Sequence, residues 1–203
     1  MRTAQRDSPT KHRLLDAAQT LMLAKGFAAT TVDEICERAK LTKGSFFHYF
    51  ESKDALGKEL LERFCASGAA LHQGFCGSET DPLKRVYGYI DSAIKLAKDP
   101  AMNQGCLLGL FAQELCESHP EIRKACREGF EHWANAFGKE VARAKAAYAP
   151  RAAFDPHELA EHLIAVMEGA MILGKTKGNM KVVARSLRHF KAYVKSLFEG
   201  AKR

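Results

Sequence analysis

Three helix-start signals, at Thr31, Thr42 and Ser52, fall within twenty-two residues and confine the chain between them to two short helices joined by a tight turn. Thr31 is followed three positions later by Glu34, so its hydroxyl can accept from an unpaired first-turn amide while the carboxylate reaches back to the Thr31 amide. Val32, Ile35, Cys36 and Ala39 recur at helical spacing and form one apolar stripe that must be buried. Lys40 and Leu41 make the turn. Thr42 then caps a helix from Lys43 to His48, about two turns long and too short to persist without packing. Phe46 and Phe50, four apart, are its inward anchors, which leaves Lys43, Ser45, Phe47, His48 and Tyr49 nearer solvent.

Donors, aromatics and a cation at the start of a short second helix suit the major groove of DNA, where the first residues of such a helix meet base edges. The expected DNA-binding residues are Thr31, Thr42, Lys43, Gly44, Ser45, Phe47, His48, Tyr49 and Lys53. Gly44 either lets the backbone approach DNA closely or relieves crowding at the turn. Tyr49 and Lys53 can donate to phosphates, Lys53 from the first turn of the next helix, where backbone amides add to an anion site. The other reading of this segment is a helical hairpin buried in a bundle. A formal net charge of +7 suits a polyanionic partner, although much of the excess lies in the C-terminal third.

The run Gly44 to Leu56, GSFFHYFESKDAL, resembles the signature of TetR-family transcriptional repressors. The resemblance extends upstream through the apolar helix around Leu14, Leu15, Ala18, Leu21 and Met22, which Gly26 and Phe27 end. Beyond this first quarter only length and helical pattern are similar. The resemblance implies a helix-turn-helix DNA-binding domain over 1–52 and a helical ligand-binding and dimerisation domain over 53–203. It also implies a homodimer through the last two helices and a repressor that a small apolar or electrophilic inducer releases from a palindromic operator. Members commonly carry tyrosine where this chain has Phe47, so one phosphate-directed hydroxyl is missing, and Phe47 is expected to touch a thymine methyl or a sugar.

The rest of the chain predicts an all-α protein of about nine helices. Ser8-Pro9, Asp81-Pro82, Asp155-Pro156 with Glu158, and Asn179 are further start signals. A long helix is expected from Pro120 towards Ala147, with Cys126, Phe130, Trp133 and Phe137 inward, and loops are expected at 74–78 and 149–154. Helices over 155–174 and 179–199 carry long apolar faces, led by Leu159, Leu163, Val166, Met167 and Ala170 on one and by Val183, Leu187, Phe190, Val194 and Leu197 on the other. These faces make either a dimer interface or an intramolecular core. A dimer is expected because a two-turn reading helix touches few bases and a two-fold partner doubles the contacts. No apolar run approaches 18 residues and the first eight are polar, so a cytoplasmic protein without a membrane span is expected. None of the six cysteines forms a C-x-x-C pair, so reduced thiols are expected, with no metal and no cofactor.

Two motifs compete. Gly169 to Thr176, GAMILGKT, matches the phosphate-cradling P-loop pattern and would imply a nucleotide-binding enzyme. A P-loop needs a strand before it and a helix opening at Lys-Thr, whereas this run continues a capped helix into a turn. His157 and His162 miss the zinc-protease spacing by one position and so do not share a helix face. No Ser-His-Asp or paired-carboxylate arrangement stands out, and no enzyme is expected. Cys106 follows Gly105 at the expected start of a helix, where free amides favour thiolate. The run GCLLGLFAQEL resembles the equivalent region of an electrophile-sensing branch of the same family, in which this cysteine is the sensor and a later lysine assists, a role Lys175 could fill. The alternative is that Cys106 packs as a small hydrophobe, and Cys116 and Cys126 read as structural. An inducer cavity is expected behind Met102, Phe111, Phe130, Trp133, Phe137, Met167 and Met171, all of which fit an ordinary core equally well.

Overall fold

Side-chain caps start the helices. In the computed structural model, which describes residues 8–76, 79–98 and 105–200, Ser8 accepts from the amide of Thr10, Thr31 from Glu34, Thr42 from Ser45, Asp81 from Lys84, and Asp155 from His157 and Glu158. Among the described residues these elements are α1 (Pro9–Lys25), α2 (Val32–Ala39), α3 (Lys43–Tyr49), α4 (Lys53–Cys76), α5 (Pro82–Leu96), α6 (Leu107–Leu115), α7 (Pro120–Tyr148), α8 (Pro156–Thr176) and α9 (Lys181–Gly200), with no strand. The all-α expectation of about nine helices holds. Asn179 also acts at a helix start, its side chain accepting from the Lys181 amide at 3.1 Å.

One expected loop is corrected. Gly74 lies inside α4, which runs on to Cys76, whereas 77–78 fall outside the described residues. A helix-interior glycine costs only about 1 kcal/mol, which the rest of a 24-residue helix readily offsets. The segment 149–154 is non-helical as expected.

The chain forms two compact units that do not follow chain order: residues 1–65 with 106–129, and 66–105 with 130–203. In the first, Leu14, Leu15, Ala18, Met22, Ile35, Phe46, Leu56, Leu60 and Phe111 are buried almost completely. In the second, α5, α7, α8 and α9 enclose a core that includes Ile90, Phe137, Leu163, Leu187, Phe190 and Val194. Most of the apolar faces expected on α8 and α9 are consumed by this intramolecular core. Ile172, Leu173 and Tyr193 stay exposed.

The box that starts α2 has a pH signature. The ammonium of Lys25 holds the Glu34 carboxylate, the Thr31 amide and hydroxyl add to it, and together they lower its pKa to about 2. Because the folded value lies below the unfolded one, about 4.3, this contribution is complete above that value and disappears as pH falls through about 2. The protection of the Thr31 amide, taken relative to its intrinsic exchange rate at each pH, should therefore fall across that acid window; protection unchanged down to the lower limit would refute the assignment.

Candidate nucleic-acid interface

The turn between α2 and α3 is held from outside. Lys40 ends α2 in the left-handed region, at φ 52° and ψ 50°, and the Leu41 amide donates back to Cys36 O at 2.9 Å. The Arg13 guanidinium donates to the carbonyls of Ala39 and Lys40, so α1 fixes the angle at which α3 leaves the turn. Phe46 and Phe50 anchor α3 as their spacing requires, at 0% and 2% exposure, with ring centroids 5.6 Å apart. Its other face carries Thr42, Lys43, Gly44, Phe47 and His48, all exposed.

Each expected DNA-binding residue has a definite place. Thr31 completes the capping box, its amide donating to Glu34 Oε2 at 2.9 Å. The hydroxyls of Thr42 and Ser45 lie 3.1 Å apart and the Ser45 amide donates to Thr42 Oγ1 at 3.1 Å, so both serve the helix start. Lys43 pairs with Asp33 at 2.7 Å, with both side chains more than 60% exposed, an interaction worth little in water and easily exchanged for a phosphate. A Cβ on Gly44 would meet only Thr42 Oγ1, at 3.6 Å, so the turn itself does not require glycine there. Phe47 is 56% exposed, unusual for phenylalanine. The His48 ring meets Tyr49 edge-on at 4.8 Å, and the Tyr49 hydroxyl lies 2.9 Å from Ser8 Oγ, tying α3 to the cap of α1. Lys53 turns inward: its Nζ donates to Phe27 O and Thr30 O, both at 2.9 Å, and stands 4.4 Å above the Phe27 ring.

Lys53 is one half of a clamp on the α1–α2 loop. Gly26 turns the chain at φ +90°, a conformation that favours glycine. The next two amides, Phe27 and Ala28, donate to Glu114 of α6 at 2.8 and 2.7 Å. Glu114 was missed in the sequence because its partners lie 86 and 87 residues away, with no local pattern connecting them.

The order of these elements matches a known family. A profile described as "Bacterial regulatory proteins, tetR family" matches residues 14–60, and one described as "Tetracyclin repressor-like, C-terminal domain" matches 82–190. The chain belongs to the TetR family. It is 28% identical over 173 residues, 85% of each chain, to the HTH-type transcriptional repressor DhaR of Mycobacterium sp. strain GP1. It is 25% identical over 183 residues, 90% of this chain and 92% of the other, to the HTH-type transcriptional repressor NemR of Escherichia coli strain K12. The solved structure of a regulatory protein TetR from Rhodobacter sphaeroides superposes with a TM-score of 0.80 at 28% identity, covering 90% of this chain and 97% of that one. As a TetR-family member the chain is a DNA-binding transcriptional regulator of the helix-turn-helix type, and the TetR family is one of regulators.

The P-loop alternative fails on structure. Gly169 to Thr176 are the last turns of α8, so the helix ends where a P-loop would begin one, and the backbone donors are committed to the helix. No helix among the described residues is long and apolar enough to cross a membrane, and none of their His, Cys, Asp and Glu side chains group to hold a metal ion. The expected inducer residues are spread across the chain. Met102 lies outside the described residues. Phe111, in the first unit, is fully buried edge-on to Phe27, with centroids 5.4 Å apart. In the second unit Phe137 is fully buried against Tyr89, and Trp133 donates to the Tyr89 hydroxyl at 2.7 Å. Phe130 is half-buried, and Met167 and Met171 pack on the rim of that core. A groove of about 440 Å³ between the 151–154 loop and α9 is lined by other residues, Phe154 and Leu197 among them. Cys106 sits one position before α6, at its N-cap, after Gly105 at φ +95°; it is half-buried and makes no capping bond. Lys175 is exposed in the last turn of α8.

Proposed function

We propose that the chain is a homodimeric repressor that reads a palindromic operator through Thr42 to Tyr49 of each subunit and leaves it on a small-molecule or electrophile signal. The observation that carries this reading is the face of α3: cation, glycine, aromatic ring and imidazole stand exposed, while Phe46 and Phe50 hold the helix from behind. Lys43 and His48 are the donors, Gly44 gives the backbone close access, and Phe47 offers an apolar edge to a thymine methyl. Tyr49 and Lys53 hold the reading helix in register, since their polar atoms already bind Ser8 and the α1–α2 loop. Ile172, Leu173 and Tyr193, with Ala165 and Gly169 between them on the outer face of α8 and α9, suit close packing against a second copy.

Selection of bound duplexes from the native genome should enrich a palindrome, with affinity falling steeply as salt rises. Lys43→Ala should lower the salt slope by about one per subunit and weaken all sequences alike. Absence of any enriched palindrome would overturn the reading. For the signal, Cys106 at the α6 N-cap is the proposed electrophile site. Cys106→Ser should keep operator binding and lose release by quinones and aldehydes, and release equal to wild type would remove it from that role.

A further inference from the structure

Charge is distributed unevenly between the two units. The first, which holds α3, carries fourteen Lys and Arg against thirteen Asp and Glu and is nearly neutral. From 175 to 203, nine Lys and Arg stand against one acid, Glu199, so this stretch alone outweighs the formal net charge of +7. On α9 Lys181, Arg185, Arg188 and Lys195 are all exposed, and at 100° per residue they fall within one arc of about 80°. Tyr193 lies outside that arc. Lys191 borders it but is spent on Asp91 of α5, its Nζ donating to both carboxylate oxygens at 2.6 and 2.5 Å. The other four meet no carboxylate among the described residues, and Lys195 leans only on the Tyr87 ring, 5.8 Å from its centroid.

The row costs α9 stability. Lys181 and Arg185, then Arg185 and Arg188, are like charges three or four residues apart, a spacing at which they repel. Carboxylates favour the start of a helix and cations its end, yet α9 has no acid in its first turn and no cation in its last. A fold that needed only a solvated helix face would gain by mixing the signs, whereas an anionic partner removes the cost.

We propose that this face of α9 is a second, sequence-independent contact for duplex DNA, gripping phosphates of DNA that the reading helices do not occupy. From Lys181 to Lys195 the row runs about 21 Å along the helix, the length of about six phosphates on one strand. A row on a convex helix suits an extended polyanion rather than a small anion, which a pocket would enclose. The other residues in the arc are Ala192 and Glu199, so no large apolar side chain is offered to a bilayer, and the small Ala192 leaves room for a sugar-phosphate backbone. The cations would then act by releasing counterions, which supplies affinity without preference for sequence. This contact does not depend on the operator reading above.

The test measures binding of the full chain to a labelled duplex free of palindromes, by fluorescence anisotropy across a potassium chloride series. Replacing the four cations together, by Lys181→Gln, Arg185→Gln, Arg188→Gln and Lys195→Gln, should weaken binding at low salt by at least about 10-fold and flatten the log–log salt dependence by about 3–4 per subunit. Arg185→Lys with Arg188→Lys, which keeps the charge, should leave both unchanged. The four-fold variant should melt no lower than wild type, because it removes repulsion and touches no buried group. An unchanged salt slope would overturn the proposal, and so would a melting point well below wild type, which would assign the cations to the fold. Cation-dependent flotation of the protein with phosphatidylglycerol vesicles, or its capture by polyglutamate, with duplex binding unaltered by the four changes, would assign the face to a lipid surface or an acidic protein and overturn it too. A flattened slope in a protein that selects no palindrome would support this contact and overturn the operator reading.

Discussion

Truncating Phe27 to alanine should destabilise the first unit by about 3–5 kcal/mol and remove most operator binding with it. The residue is 3% exposed and is gripped through every part. Its ring meets Phe111 edge-on at 5.4 Å and His119 at 5.9 Å, and the Lys53 ammonium lies 4.4 Å above it. Its amide donates to Glu114 and its carbonyl accepts from Lys53. The neighbour below is Gly57, whose added Cβ would come within 2.9 Å of the ring, so that position is bare because Phe27 occupies the space. Removing the ring leaves a cavity that the glycine cannot fill and a cation without its aromatic face. For a chain of this size the thermal midpoint should fall by roughly 10 °C. A loss under about 1 kcal/mol in a urea titration followed by circular dichroism, far below the usual cost of a buried aromatic, would show that the loop stands without its plug.

Arg85→Met should cost the second unit about 3–5 kcal/mol, because it strands a buried carboxylate. Glu140 on α7 is 5% exposed, and Arg85 on α5 meets it with two parallel bonds, Nε to Oε2 at 2.7 Å and Nη2 to Oε1 at 2.9 Å. The same guanidinium donates to Glu79 O at 3.1 Å, so the segment before α5 is tied in as well. Arg143 also reaches Glu140 Oε1, at 3.1 Å, but its side chain is 64% exposed and cannot replace a desolvated partner. The informative control is the double variant Arg85→Met with Glu140→Leu, which removes both charges and should recover most of the loss. If the double variant is as unstable as the single one, geometry at this crossing matters more than charge burial.

Local grammar was legible from the chain, and long-range pairing was not. Ser8, Thr31, Thr42, Asp81 and Asp155 each accept a first-turn amide, because a cap is written within three residues of what it caps. The anchors Phe46 and Phe50 followed from helical period for the same reason. Glycine at 74 misled, since a single glycine marks a loop only when its neighbours also disfavour helix, and here they do not. The apolar faces of α8 and α9 announced burial without saying against what, and the molecule spends most of them on its own core. Lys53 carried a phosphate-binding position in the pattern, yet its ammonium faces two carbonyls that only the folded α1–α2 loop provides. Glu114 with the α1–α2 loop and Arg85 with Glu140 join residues far apart in the chain, and periodicity carries no trace of them.

The assembly of the first unit from 1–65 and 106–129 bears on how this regulator can be re-engineered. A chimera that grafts only the N-terminal segment onto another body transplants α3, the proposed reading helix, without Phe111, Glu114 and His119, the three side chains that close over Phe27 and its loop. Such a graft would carry the specificity and lose the lid. The portable module is discontinuous, and swapping DNA preference between relatives should succeed by exchanging the exposed face of α3 alone rather than by moving the head.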